Sequence, residues 1–210
     1  MRRVLAPSTV LALVLVPMLC ACEEDGLLIE EDEVCFVRRD GQTVCMETYE
    51  AARFDASADG EGTSLDRPIS AQGVLPWTNI TWSAALAACR EKGKRLCNAD
   101  EWLDACDGVV GESVGTVYTY GDERDPSKCN AAGGAVVATG SFPACQSLLG
   151  LFDMSGNVWE WTGNDAETAR ARGGSFRSSQ EHRCLGGDAT MRFLLEEKSG
   201  EVGFRCCRDG

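Results

Sequence analysis

Residues 151–162 read Leu-Phe-Asp-Met-Ser-Gly-Asn-Val-Trp-Glu-Trp-Thr, which sets Asp153, Ser155, Asn157 and Glu160 among Phe152, Met154, Val158, Trp159 and Trp161. A carboxylate between two indoles is costly to bury unless it meets hydrogen-bond donors or a cation. Glu160 is therefore expected to hold a hard cation or to accept backbone amide hydrogens. Gly156 and Asn157 at the centre argue for a sharp, hydrogen-bonded turn between two short extended pieces. Further along, Ser175 and Ser178 carry hydroxyls, but a serine nucleophile needs a base within reach. The single histidine, His182, is not adjacent to either and reads as an exposed loop residue. One histidine cannot build a site of two histidines and a carboxylate for non-haem iron. The cysteine spacing also contains no zinc pattern.

The run 156–162, followed by Arg172-Gly-Gly-Ser-Phe176 and Gly203-Phe-Arg-Cys206, resembles the formylglycine-generating enzyme (sulfatase-modifying factor) family. Lys94-Arg-Leu96 and Glu101-Trp102 fit the same family in the same order, so the resemblance covers residues 34–210. It implies an α+β, C-type-lectin-like fold that is loop-rich, has two main helices and is stapled by disulfides. It also implies a chemistry, the conversion of a substrate cysteine to formylglycine with oxygen and a copper ion held by two thiolates. Cu(I) is soft and prefers thiolate. In the family those cysteines stand two residues past the Gly-Gly-Ser-aromatic motif and five further on. Here the matching residues are Ser178 and Arg183. Cys184 matches instead a later family cysteine that is disulfide-bonded. Copper is accordingly not expected, and the resemblance points to a non-catalytic module for a peptide, protein or small ligand. The pocket residues that persist are Trp159, Arg172, Ser175 and Ser178. The alternative is a copper-dependent oxidase with displaced ligands, acting on a sulfatase cysteine.

In the family the central turn also binds calcium, a hard cation that takes carboxylate and carbonyl oxygens. The matching ligands are the side chains of Asp153 and Glu160 and the carbonyls of Gly156 and Val158. A second calcium site would begin at Asn130, but its later carboxylate partner is missing. The resemblance further pairs Cys89 with Cys206 and Cys106 with Cys184. Short separation suggests Cys35–Cys45 and Cys129–Cys145, which leaves Cys97 for Cys207.

The elements that must position these residues show local signals. Residues 35–45 read as two short strands around an Asp40-Gly41 turn, and 46–50 resemble the family's early tyrosine-glutamate strand. A helix is predicted over 82–92, with Thr81 as N-cap and Gly93 as its stop. Trp82, Ala85, Leu86 and Cys89 lie at i, i+3, i+4 and i+7, a single buried stripe. A second helix starts after Asn98, where the Asn98…Glu101 spacing resembles a capping box and Trp102, Ala105 and Cys106 face inward. No helix signal occurs from 108 to 150.

Composition places the chain. Arg2 and Arg3 precede a short apolar run ending in Leu19-Cys-Ala-Cys22, which looks like a bacterial lipoprotein signal over residues 1–21. Cleavage would leave Cys22 to carry lipid, anchoring the protein to the membrane of the bacterial cell envelope. Residues 22–33 are mostly acidic and read as a tether, ahead of one domain over 34–210. Twelve cysteines fit an oxidising compartment. A net charge of −13 excludes nucleic acid, whose phosphates need clustered Lys and Arg.

Overall fold

The computed structural model describes residues 32–108, 114–178, 182–184 and 194–210. Cys22, the signal segment and the tether up to residue 31 lie outside the described residues. The domain opens with a hairpin of β1 (Glu33–Val37) and β2 (Thr43–Glu47), in register so that Cys35 faces Cys45. The strand expected over 46–50 is broken. β2 ends at Glu47 and β3 (Ala51–Ala52) begins after Glu50, pairing with β4 (Ile69–Ser70). The intervening Thr48 donates its amide to Asp32 and accepts from the amide of Phe152, so its backbone bonds leave the ladder.

α1 (Trp82–Glu91) starts where Thr81 accepts a hydrogen bond from the Ala84 amide, a cap that contributes about 1 kcal/mol. It buries Trp82, Ala85, Leu86 and Cys89 and stops before Gly93, whose φ is +70°. Its last helical residue is Glu91, one before the expected Lys92. β5 (Arg95–Leu96) leads into α2 (Ala99–Asp107), where Asn98 and Glu101 form a reciprocal capping box and left-handed Gly108 ends the helix. After a long irregular stretch come β6 (Trp159–Thr162), β7 (Arg170–Arg172), β8 (Val202–Phe204) and β9 (Cys206–Asp209).

Two larger sheets result. One has the order β1-β2-β9-β5 and the other β7-β6-β8, with β6 and β8 parallel. The first core cluster packs Trp82, Leu86 and Ala85 of α1 against Trp159, Trp161 and Phe204. The second packs Trp102 and Ala105 of α2 against Met46, Leu151 and Met154. Five disulfides are present among the described residues: Cys89–Cys206 lies within the first cluster, Cys97–Cys207 and Cys106–Cys184 within the second, and Cys35–Cys45 and Cys129–Cys145 are local. These are the pairs given in the sequence analysis. In a domain with two short helices, bridges worth about 2–4 kcal/mol each are a large share of net stability.

Candidate functional site

The central turn is held by backbone geometry that few sequences permit. Asp153 and Asn157 both adopt left-handed conformations, with φ of 59° and 56°, and Gly156 between them has φ of 109°. A Cβ at Gly156 would lie 2.6 Å from the carbonyl oxygen of Asn130, so only glycine fits. Asn157 fixes the turn. Its Nδ2 donates to Glu50 (2.6 Å) and to the Val137 carbonyl, and its Oδ1 accepts from Asn130 Nδ2 and from the Val137 amide. Its own carbonyl accepts from the Phe176 amide, which ties the turn to the Gly-Gly-Ser-Phe segment. Glu50 also accepts from the Val158 amide (3.1 Å).

Glu160 finds different partners from the backbone amides expected of it. Arg205 donates Nε and Nη2 to its two oxygens, and Trp102 Nε1 donates to Oε2 at 2.7 Å. Arg205 spends its remaining donors on the carbonyls of Glu47, Thr48 and Phe152. Three buried carboxylates, Glu50, Asp153 and Glu160, thus surround one buried guanidinium. Burial, with the charges of Asp153 and Glu160, raises Glu50 well above the usual carboxylate range. Burial likewise pushes Asp153 up to about 6, opposed by the Gly140 amide that donates to it at 2.6 Å.

This charge excess bears on calcium. The donor set at the turn is hard oxygen, and the surplus negative charge suits a cation, so the residues fit the ion in chemistry. Asp153 is the carboxylate with charge to offer, while Glu160 would have to share its oxygens with Arg205 and Trp102. At Asn130 the side-chain nitrogen donates to Asn157 Oδ1 and to the Ala135 carbonyl.

The pocket residues are packed tightly. Trp159, Ser175 and Ser178 are buried and Arg172 is half-buried. Ser178 Oγ accepts from the Ser175 amide (2.9 Å) and Ser178 returns its own amide to the Ser175 carbonyl. Ser175 Oγ donates to Glu201 at 2.8 Å, and the Trp159 amide donates to the Glu201 carbonyl. Arg172 stands apart from this group, opposite Glu160 in the β6–β7 register, and its Nε makes no hydrogen bond among the described residues. Arg183 is exposed, with its guanidinium 5.9 Å from the ring centre of Tyr118. Cys184 is held in its disulfide to Cys106, and its amide donates a hydrogen bond to the Val117 carbonyl.

His182 corrects the sequence reading. It is fully buried rather than exposed, 5.0 Å from the Tyr118 ring and against Gly174, where a Cβ would sit 2.9 Å from its backbone. Its Nδ1 lies 2.9 Å from the Ser178 carbonyl, so that nitrogen carries the proton, and Nε2 is buried with no partner among the described residues. Burial lowers its pKa. Among the described residues the ring meets the Ser178 carbonyl and not the hydroxyl of Ser175 or Ser178, so neither of those serines couples to it. Sequence reasoning also missed the roles of Arg205 and Glu201. Arg205 stood in a quoted motif, and a buried arginine must find carboxylates somewhere.

Comparison with known proteins agrees with this geometry. Residues 33–210 match the family described as "Sulfatase-modifying factor enzyme 1-like domain". "Inactive C-alpha-formylglycine-generating enzyme 2" from Bos taurus is 29% identical over 153 residues, covering 63% of this chain and 50% of that protein. The formylglycine-generating enzyme of Thermomonospora curvata is 27% identical over 190 residues, covering 72% of this chain and 60% of its own. The chain thus spans about half the length of the first of these relatives. Treponema denticola variable protein 1 superposes with a TM-score of 0.61 at 14% identity, covering 80% of this chain and 85% of its own. At that identity the likeness concerns the fold alone, an α+β, C-type-lectin-like architecture.

Proposed function

The chain belongs to the sulfatase-modifying-factor family, and from that premise we propose that it is a non-catalytic binding module carried on a lipid anchor at Cys22 in the bacterial cell envelope. The observation that carries the non-catalytic reading is the absence of a thiolate pair at the family's copper position. Ser178 is closed into a turn with Ser175, Arg183 faces an aromatic ring, and neighbouring Cys184 is oxidised to a disulfide. A serine hydroxyl is a hard, protonated donor with little affinity for Cu(I). All ten cysteines among the described residues are in bridges. Similarity to proteins named as inactive members supports the same reading. Calcium at Asp153 would be structural, offsetting the buried acids of the central turn.

The test mixes copper-loaded protein with a cysteine-containing sulfatase peptide and follows the mass of that cysteine. No conversion is expected. Conversion that survives Ser178→Ala would overturn the reading. Intact mass of the protein purified from membranes should carry a diacyl or triacyl addition at Cys22, and an unmodified mature chain would remove the anchor.

A further inference from the structure

A polar cavity of about 530 Å³, with neither Ser178 nor Arg183 in its wall, opens where the β1–β2 turn, the β5–β9 edge and the N-terminus of α2 meet. Its volume lies within the range of small-molecule sites. The charges on its wall cancel, with Arg38 and Arg95 against Glu101 and Asp209. They are also paired within the protein. Arg95 binds Glu101 at 2.7 and 2.8 Å and Asp209 at 2.6 Å, while Arg38 binds Asp40 at 2.7 Å. A phosphate or a metal ion entering the cavity would therefore meet no net field and would have to break ion pairs to gain partners.

Hydrogen-bonding capacity nevertheless remains. Gln42 and Thr43 line the cavity and are exposed. Neither side chain makes a hydrogen bond among the described residues. Arg38 is already engaged, since its buried Nε is ion-paired to Asp104 at 3.5 Å. The wall is preorganised. Glu101 is fixed by the capping box and by Arg95, and the hairpin is closed by Cys35–Cys45. Val37, paired with Thr43 and 52% exposed, adds an apolar surface on the same side of the hairpin. Uncharged donors and acceptors on a stiff frame, beside a small apolar patch, suit a molecule with many hydroxyls and C–H faces.

We propose that this cavity binds a neutral, hydroxyl-rich ligand of mono- or disaccharide size, through Gln42 and Thr43. None of the lining residues lies in the 172–184 region, so its success or failure is read separately from that of the binding module above. Saturation-transfer NMR on the full chain with glucose, N-acetylglucosamine and maltose tests it. At least one sugar should show saturable binding that sodium chloride leaves unchanged. The exposed double variant Gln42→Ala/Thr43→Ala should weaken that binding by about tenfold or more, the loss of one or two hydrogen bonds, with an unchanged melting temperature. Arg183→Ala should leave it intact. Absence of transfer from all three sugars, or binding that survives the double variant, would overturn the proposal. So would preferential, salt-sensitive binding of inorganic phosphate.

Discussion

Arg205 donates from Nε and Nη2 to the two carboxylate oxygens of Glu160, at 2.8 and 2.7 Å, with both side chains only 1% exposed. Such a pair gives little net stability relative to an apolar replacement, but breaking it strands a charge in the core. Glu160→Gln or Arg205→Met alone should therefore cost about 3–5 kcal/mol in denaturant unfolding. The double variant should cost markedly less than the sum of the two, and an additive result would mean the pair does not act as a unit.

The same pairing decides how a calcium test must be built. Glu160→Gln would damage the fold with or without metal, so Asp153→Asn is the informative change. Calcium at a hundredfold excess over its dissociation constant should stabilise the wild type by about 2.7 kcal/mol. Asp153→Asn should lose that gain and be at least as stable as wild type without calcium, since it removes a buried charge. A thermal midpoint indifferent to calcium and chelator in the wild type would remove the ion from the account.

His182 sets a pH dependence at the acid side. Burial, with the charges of Arg124 and Arg183, depresses its pKa below the unfolded value of 6.5. A depressed group supports the fold above the unfolded pKa and withdraws that support as pH falls through the folded one. The stability difference between wild type and His182→Gln should therefore narrow or reverse below pH 6.5. Asp153 and Glu50, with raised pKa values, tilt the whole-protein curve the other way, which is why the difference between the two proteins is the quantity to measure.

Much of the frame was legible because its signals are local. The Thr81 cap, the Asn98–Glu101 box and the α1 stripe each depend on residues within one or two turns. The charge partners were not legible. Glu160 and Arg205 are 45 residues apart, and Glu50 reaches Asn157 across 107. Nothing in local spacing encodes such pairings. His182 was misread for a similar reason, since its burial comes from Tyr118 and Gly174, which the tertiary fold brings to it.

The bridges offer a direct check on stapling. Denatured, unreduced domain should take up no thiol label within residues 34–210, and two labelled cysteines would refute five bridges. Replacing Cys106 and Cys184 together with serine should cost about 2–4 kcal/mol and release the segment that carries His182 and Arg183.

β9 sits between β2 and β5, β8 completes the other sheet, and two bridges run from Cys206 and Cys207 back to Cys89 and Cys97. During vectorial synthesis, neither sheet can close until residues 202–209 have emerged. Cys89 and Cys97 must therefore wait for their partners, open to premature pairing, while the hairpin bridge Cys35–Cys45 can close early. Truncation ahead of Val202 would leave no smaller domain behind. The requirement for late, long-range closure puts the bridges to Cys206 and Cys207 among the last events of this protein's oxidative folding.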